Sequence, residues 1–175
     1  RITSTIIPLE TVKPEDIKGK VITVGSASAA LGIYAEGLGV DSFVLRTSGD
    51  SLAIDGGKRG VIYGVYEFLE KLGCRFFTPT CEKIPNKPDL ELPFLNETQV
   101  PVFEYRYHNY INFTGFPRFA VKNRINGPVP IKEKFGGNMS YVWFVHTFEH
   151  IISPEEWFDT HPEYFSMVDG KRIRE

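Results

Sequence analysis

Gly56-Gly57-Lys58-Arg59-Gly60-Val61-Ile62-Tyr63-Gly64-Val65-Tyr66-Glu67-Phe68-Leu69-Glu70-Lys71-Leu72-Gly73-Cys74-Arg75-Phe76-Phe77-Thr78-Pro79 reads as a tight glycine turn, an amphipathic helix, a glycine stop and a short buried strand. Val61, Val65, Phe68 and Leu72 follow the course of one helix face, widened by Ile62, Tyr66 and Leu69, while Glu67, Glu70 and Lys71 lie opposite. Gly73 stops the helix. Gly60 and Gly64 sit one turn apart, where each costs ~1 kcal/mol relative to alanine. Their presence predicts a close backbone approach, with the helix pressed onto a sheet.

The segments before this helix supply the sheet. A strand is expected near Thr5-Ile6-Ile7, a turn at Lys13-Pro14-Glu15-Asp16, and a clear strand at 20–24 that opens through Gly25-Ser26 into a helix over 27–36. Residues 41–47 alternate as a strand, Ser48-Gly49-Asp50 turns the chain, and 51–55 return. The order βαββαβ predicts an α/β accessory domain over 1–79, with two helices on one sheet face.

From 80 to 100 periodicity disappears and prolines accumulate, which marks a connector. Beyond it the composition changes: 16 of the 24 aromatic residues and all four histidines lie between Phe103 and Phe165. A strand is expected at 102–107, a helix around 117–124 and a buried strand at 140–145. A helix should start at Ser153-Pro154-Glu155-Glu156, and Asp169-Gly170 should form a hairpin turn. Strand, helix, strand, helix predicts the first β/α units of a (β/α)8 barrel over 101–175. A closed barrel needs at least ~200 residues, so the segment is an incomplete barrel that would pack against the remainder.

With 20 Lys and Arg against 22 Asp and Glu, a net charge of −2 and no dense basic block, a nucleic-acid partner is not expected. No apolar run reaches the ~20 residues of a membrane span. Cys74 and Cys81 are too few for a disulfide scaffold; a bridge across Thr78-Pro79 and two part-buried thiols both remain open. Lys58 and Arg59 at the helix start read as solvated rather than phosphate-binding, since no phosphate-loop pattern surrounds the glycines. His146-Thr147-Phe148-Glu149-His150 has the order of an inverted zinc-peptidase motif, but that motif needs a helix beneath it, and the aromatic run before it argues for a strand end. No metal and no cofactor are therefore expected. If 101–175 opens a barrel, Arg106, His108 and His146 stand at strand ends that face a substrate, where they would hydrogen-bond hydroxyls or a carboxylate.

The 56–79 stretch, Pro-Val-Phe-Glu-Tyr-Arg (101–106), Lys-Asn-Arg-Ile-Asn-Gly (122–127), His-Thr-Phe (146–148), Thr-His-Pro-Glu-Tyr-Phe (160–165) and Asp-Gly-Lys-Arg (169–172) resemble secreted glycoside hydrolase-like proteins. Their N-terminal module is similar to that of α-glucuronidases and β-N-acetylhexosaminidases. The resemblance implies an accessory domain buttressing a barrel, a saccharide substrate and an extracytoplasmic location. It also implies that Arg106 and His146 lie near the sugar. Glycosidase chemistry needs two carboxylates; Glu104, Glu149 and Glu163 form no evident pair, so the catalytic residues are unassigned and expected beyond residue 175. A non-catalytic saccharide-binding or scaffolding module is the alternative, with a zinc peptidase behind it.

Overall fold

The computed structural model describes residues 2–3, 7–11, 13–143, 145 and 147–174. The chain is mixed α/β, with a small sheet and several helices, and it divides into two compact units, 1–139 and 140–175. The first unit therefore runs through the 80–100 connector and well into the segment expected to open a barrel.

Its sheet contains β1 (Ile22–Val24), β2 (Phe43–Ser48), β3 (Ser51–Gly56) and a later strand. β2 and β3 form the expected antiparallel hairpin across Gly49-Asp50, and β1 pairs parallel to β3. Helix α1 (Gly60–Lys71) follows. The next strand, β4 (Arg75–Phe76), does not return to this sheet but pairs with β5 (Glu82–Lys83). The fourth position is taken by β6 (Asn96–Gln99), antiparallel to β2, so the order is β1-β3-β2-β6. A four-residue polar strand suits that edge, where one face and one rim meet water.

The two sheet faces are covered by different segments. Phe43, Leu45, Leu52 and Ile54 pack with Tyr63, Phe68 and Leu72 of α1, whereas Val44 and Ala53 pack with Ile33 and Ala35 on the other side. The expectation of two helices on one face is corrected accordingly. The expected helix at 27–36 is a 3-10 helix at Gly25–Leu31 instead. Ser28 Oγ donates to the Ile54 carbonyl at 3.2 Å, which holds the segment against β3, and Gly32 at φ 69° ends it.

The glycine argument holds at the sheet. A Cβ on Gly64 would stand 2.9 Å from Ile54 Cγ2, and one on Gly60 would overlap the Ser42 carbonyl oxygen at 1.8 Å. The helix lies as close to the strands as its backbone permits. Its buried line runs through Tyr63, Gly64 and Phe68, rotated from the predicted stripe because Val61 and Val65 are only half-buried.

After β6 the expected strand at 102–107 is not formed; Val102 and Phe103 are exposed and no strand among the described residues pairs with them. Short helices α2 (Ile111–Thr114) and α3 (Pro117–Lys122) follow, the latter within the predicted helix. In the second unit, 140–143 and 145 are neither strand nor buried, Trp143 having φ 51°. The unit consists of α4 (Phe148–Ile151), α5 (Pro154–Trp157), a 3-10 turn at Pro162–Tyr164 and the hairpin β7 (Met167–Val168) and β8 (Lys171–Arg172). That hairpin turns at Asp169-Gly170, with φ 49° and 75°, as predicted. Ser153 precedes α5 with Pro154 at its first position, but its hydroxyl donates to Glu155 rather than accepting from the helix backbone. The strand expected at 5–7 and the end of that at 140–145 fall partly outside the described residues.

Candidate functional site

The resembling motif at 122–127 is a clip. Asn126, wholly buried, donates through Nδ2 to Asp41 Oδ2 at 2.6 Å and to the Glu104 carbonyl at 2.8 Å, while its Oδ1 accepts from the Arg106 backbone N–H at 2.7 Å. Gly127 permits this crossing, because a Cβ there would stand 2.7 Å from Tyr107 Cβ. Arg124 reaches Glu67 and Glu70 at 2.6 and 3.0 Å, so the acidic side of α1 is partnered by a cation rather than left to solvent.

Arg106 belongs to this same clip. Its Nη2 meets Asp41 Oδ2 at 2.9 Å, its Nε donates to the Arg124 carbonyl at 2.8 Å and its Nη1 to the Phe103 carbonyl at 2.7 Å. The guanidinium also lies 5.7 Å from the centre of the Tyr63 ring. Asp41 Oδ1 accepts from Arg59 Nε. Arg59, expected in solvent, is buried at 8% exposure, and only Lys58 beside it is open, paired with Glu133 at 2.6 Å. One buried carboxylate thus ties the start of α1 to the 104–127 segment, an arrangement that orients charge. Tyr63 beneath it has its hydroxyl pKa raised, first by burial and then by the Asp41 charge.

His108 lies apart from the clip. It accepts the Tyr110 backbone N–H at 3.3 Å and packs at a tilt against the rings of Tyr110 and Phe113. His146 lies outside the described residues. His150, on α4, stacks on Trp143 at 5.4 Å, and among the described residues no group of three His, Cys, Asp or Glu side chains could hold a metal ion. Glu104 and Glu149 are exposed in separate units, and Glu163 takes a hydrogen bond from His161 at 3.0 Å. Cys74 is buried and Cys81 exposed, both as free thiols; burial raises the Cys74 pKa.

Away from the clip, a groove of about 480 Å³ opens between the start of α3, Pro79 and the 130–135 segment, and a larger concavity lies between the N-terminal residues, β1 and the 88–92 segment. That volume is in the ~300–1,000 Å³ range of small-ligand sites. Val129 and Ile131 are buried in the core, so the period-2 alternation turns Pro130 and Lys132 outward to the groove. Phe116, Phe119 and Phe135 line it with aromatic side chains, and Pro79, Pro117 and Pro130 supply stiff walls. The charged lining is entirely cationic: Arg118, Lys122, Lys132 and Lys134. Arg118 and Lys134 lie 5.9 and 5.2 Å from the Phe135 ring centre. Lys122 is held by Glu82 at 2.6 Å and by the Phe76 ring at 4.6 Å. Sequence reading passed over this segment; the alternation Val129-Pro130-Ile131-Lys132 was its available signal.

Residues 76–175, more than half of the chain, match the family described as Domain of unknown function (DUF4838). The match begins within β4 and takes in the 104–127 side of the clip, the groove and the whole second unit, while Asp41 and Arg59 lie before it. No curated protein and no solved structure matches the chain.

Proposed function

We propose, given that the chain belongs to the DUF4838 family, that residues 1–175 are the N-terminal part of a carbohydrate-active glycoside hydrolase, located outside the cytoplasm. In this reading the first unit is an accessory support whose groove holds a saccharide. The observation that carries it is the groove itself: phenylalanine faces and prolines for the apolar faces of a sugar, with N–H donors around them for its oxygens. The resemblance of 56–79 and 122–127 to glycoside hydrolase-like proteins supports the same reading.

The cleaving carboxylates, which must flank the scissile bond, are then supplied by chain outside these residues. A barrel built there would give the 102–107 and 140–145 segments partner strands. The exposed Val142, Trp143 and Phe148 would be buried by that pairing. Because none of the residues lining the groove is acidic, a non-catalytic saccharide-binding module is the second reading. No helix among the described residues is long and apolar enough to cross a membrane.

Affinity electrophoresis through gels containing neutral or acidic polysaccharides tests the binding. Retardation by at least one polysaccharide is expected, and unretarded migration in all of them would overturn the reading. Aryl glycoside turnover separates catalysis from binding: no turnover is expected from this chain, and activity abolished by Glu104→Gln or Glu163→Gln would contradict the placement of the carboxylates.

A further inference from the structure

The groove is more specific than a sugar platform, because its charge is one-signed. Four cations line it with no acid among them, although the chain as a whole carries a net charge of −2. Glu133 lies between Lys132 and Lys134 in sequence, yet its carboxylate is drawn away to Lys58 at 2.6 Å. Lys122 has Glu82. Arg118 and Lys134 are positioned over Phe135, an interaction that holds a cation without neutralising it.

We infer that the groove binds an acidic saccharide, with carboxylate or sulfate groups held by Arg118, Lys132 and Lys134 and an apolar sugar face lying against the exposed Phe116. This rests on the saccharide reading above and adds the charge of the ligand. A guanidinium offers paired donors to a planar carboxylate, and two lysines offer point charges that accept either anion. The aromatic and proline walls discriminate against a free inorganic anion, which has no apolar face to bury. The cations are confined to one short groove rather than spread along a track, which disfavours a nucleic-acid strand.

The test is calorimetric titration of the 175-residue chain with four probes: an oligogalacturonate, its carboxyl-reduced neutral counterpart, a sulfated oligosaccharide of equal length and single-stranded oligo-dT. Either acidic saccharide should bind at least ~10-fold more tightly than the neutral one, as expected for charge-assisted hydrogen bonds, and the difference should shrink as salt rises. Lys132→Gln with Lys134→Gln should weaken acidic binding by a further ~10-fold without moving the thermal transition; Lys13→Gln with Lys18→Gln should leave it unchanged. Equal binding of the neutral oligosaccharide would overturn the charge inference and leave the saccharide reading standing. Failure of every saccharide to bind would overturn both. Oligo-dT binding tighter than either acidic saccharide would overturn the proposal in favour of a nucleic-acid surface.

Discussion

The β2-β3 hairpin and the stretch from Tyr141 to Ile151 are both rich in apolar residues, and they have opposite fates. In the hairpin, Val44, Leu45, Leu52, Ala53 and Ile54 are at most 4% exposed. In the later stretch Val142, Phe148 and Ile151 are 81%, 85% and 62% exposed. Composition does not separate them. The hairpin has a two-residue turn that brings its own partner strand into register, then β6 on one side and β1 on the other. The later stretch has no ladder partner among the described residues. Apolar alternation specifies a strand only where a second strand can satisfy its backbone, and a covering helix its side chains.

That contrast is tested most severely at the clip. Asp41→Ala leaves two guanidiniums without their shared carboxylate, and it should destabilise the first unit by about 3–5 kcal/mol, the cost of breaking a buried ion pair. A denaturant midpoint within error of the parent would show that the clip is ornamental. Next is Gly64→Leu, which drives a side chain into Ile54 and Phe43 and should cost about 1–3 kcal/mol by overpacking. Unchanged thermal stability would refute the close approach of α1 to the sheet.

A smaller effect is expected from alkali. Tyr63 has a pKa raised above 10.0 by burial and by Asp41, so the folded state holds its proton where the unfolded chain releases it. Its contribution is fully present below pH 10.0 and is lost as pH rises through the folded value. Lys71, raised by its hydrogen bond to Glu97, acts in the same direction. Tyr63→Phe should therefore remove part of the alkaline decline in stability, and an identical decline in the variant would contradict the assignment. The smallest effect belongs to the second unit: Phe148→Ser should alter stability by no more than ~0.5 kcal/mol, as for an ordinary surface site. A larger loss would mean that Phe148 is buried in solution.

The same contrast explains what the residues disclosed beforehand. The α1 helix, the β2-β3 hairpin and the Asp169-Gly170 turn are written in local patterns of period 3.6, period 2 and left-handed glycine geometry, and each formed where those patterns lie. β6 was not legible, because Asn96-Glu97-Thr98-Gln99 is polar and becomes a strand only by docking on β2. Arg59 read as solvated because its partner, Asp41, is distant in sequence, and Asn126 joins the same carboxylate from 85 residues away. Arg106 read as a sugar ligand from its motif, and its guanidinium meets Asp41 and the carbonyls of Arg124, Phe103 and Glu104, partners no local pattern discloses. The groove depends on 130–135 lying beside the start of α3, a placement that the alternation at 129–132 does not encode by itself.

The central claim is that this groove is where ligand meets the chain, and amide chemical-shift mapping tests it most directly. Addition of oligogalacturonate to the isotopically labelled chain should shift resonances of Phe116, Arg118, Lys132, Lys134 and Phe135 and leave Asp41, Arg106 and His161 in place. Shifts centred on Arg106 and His108, or none at saturating ligand, would contradict it.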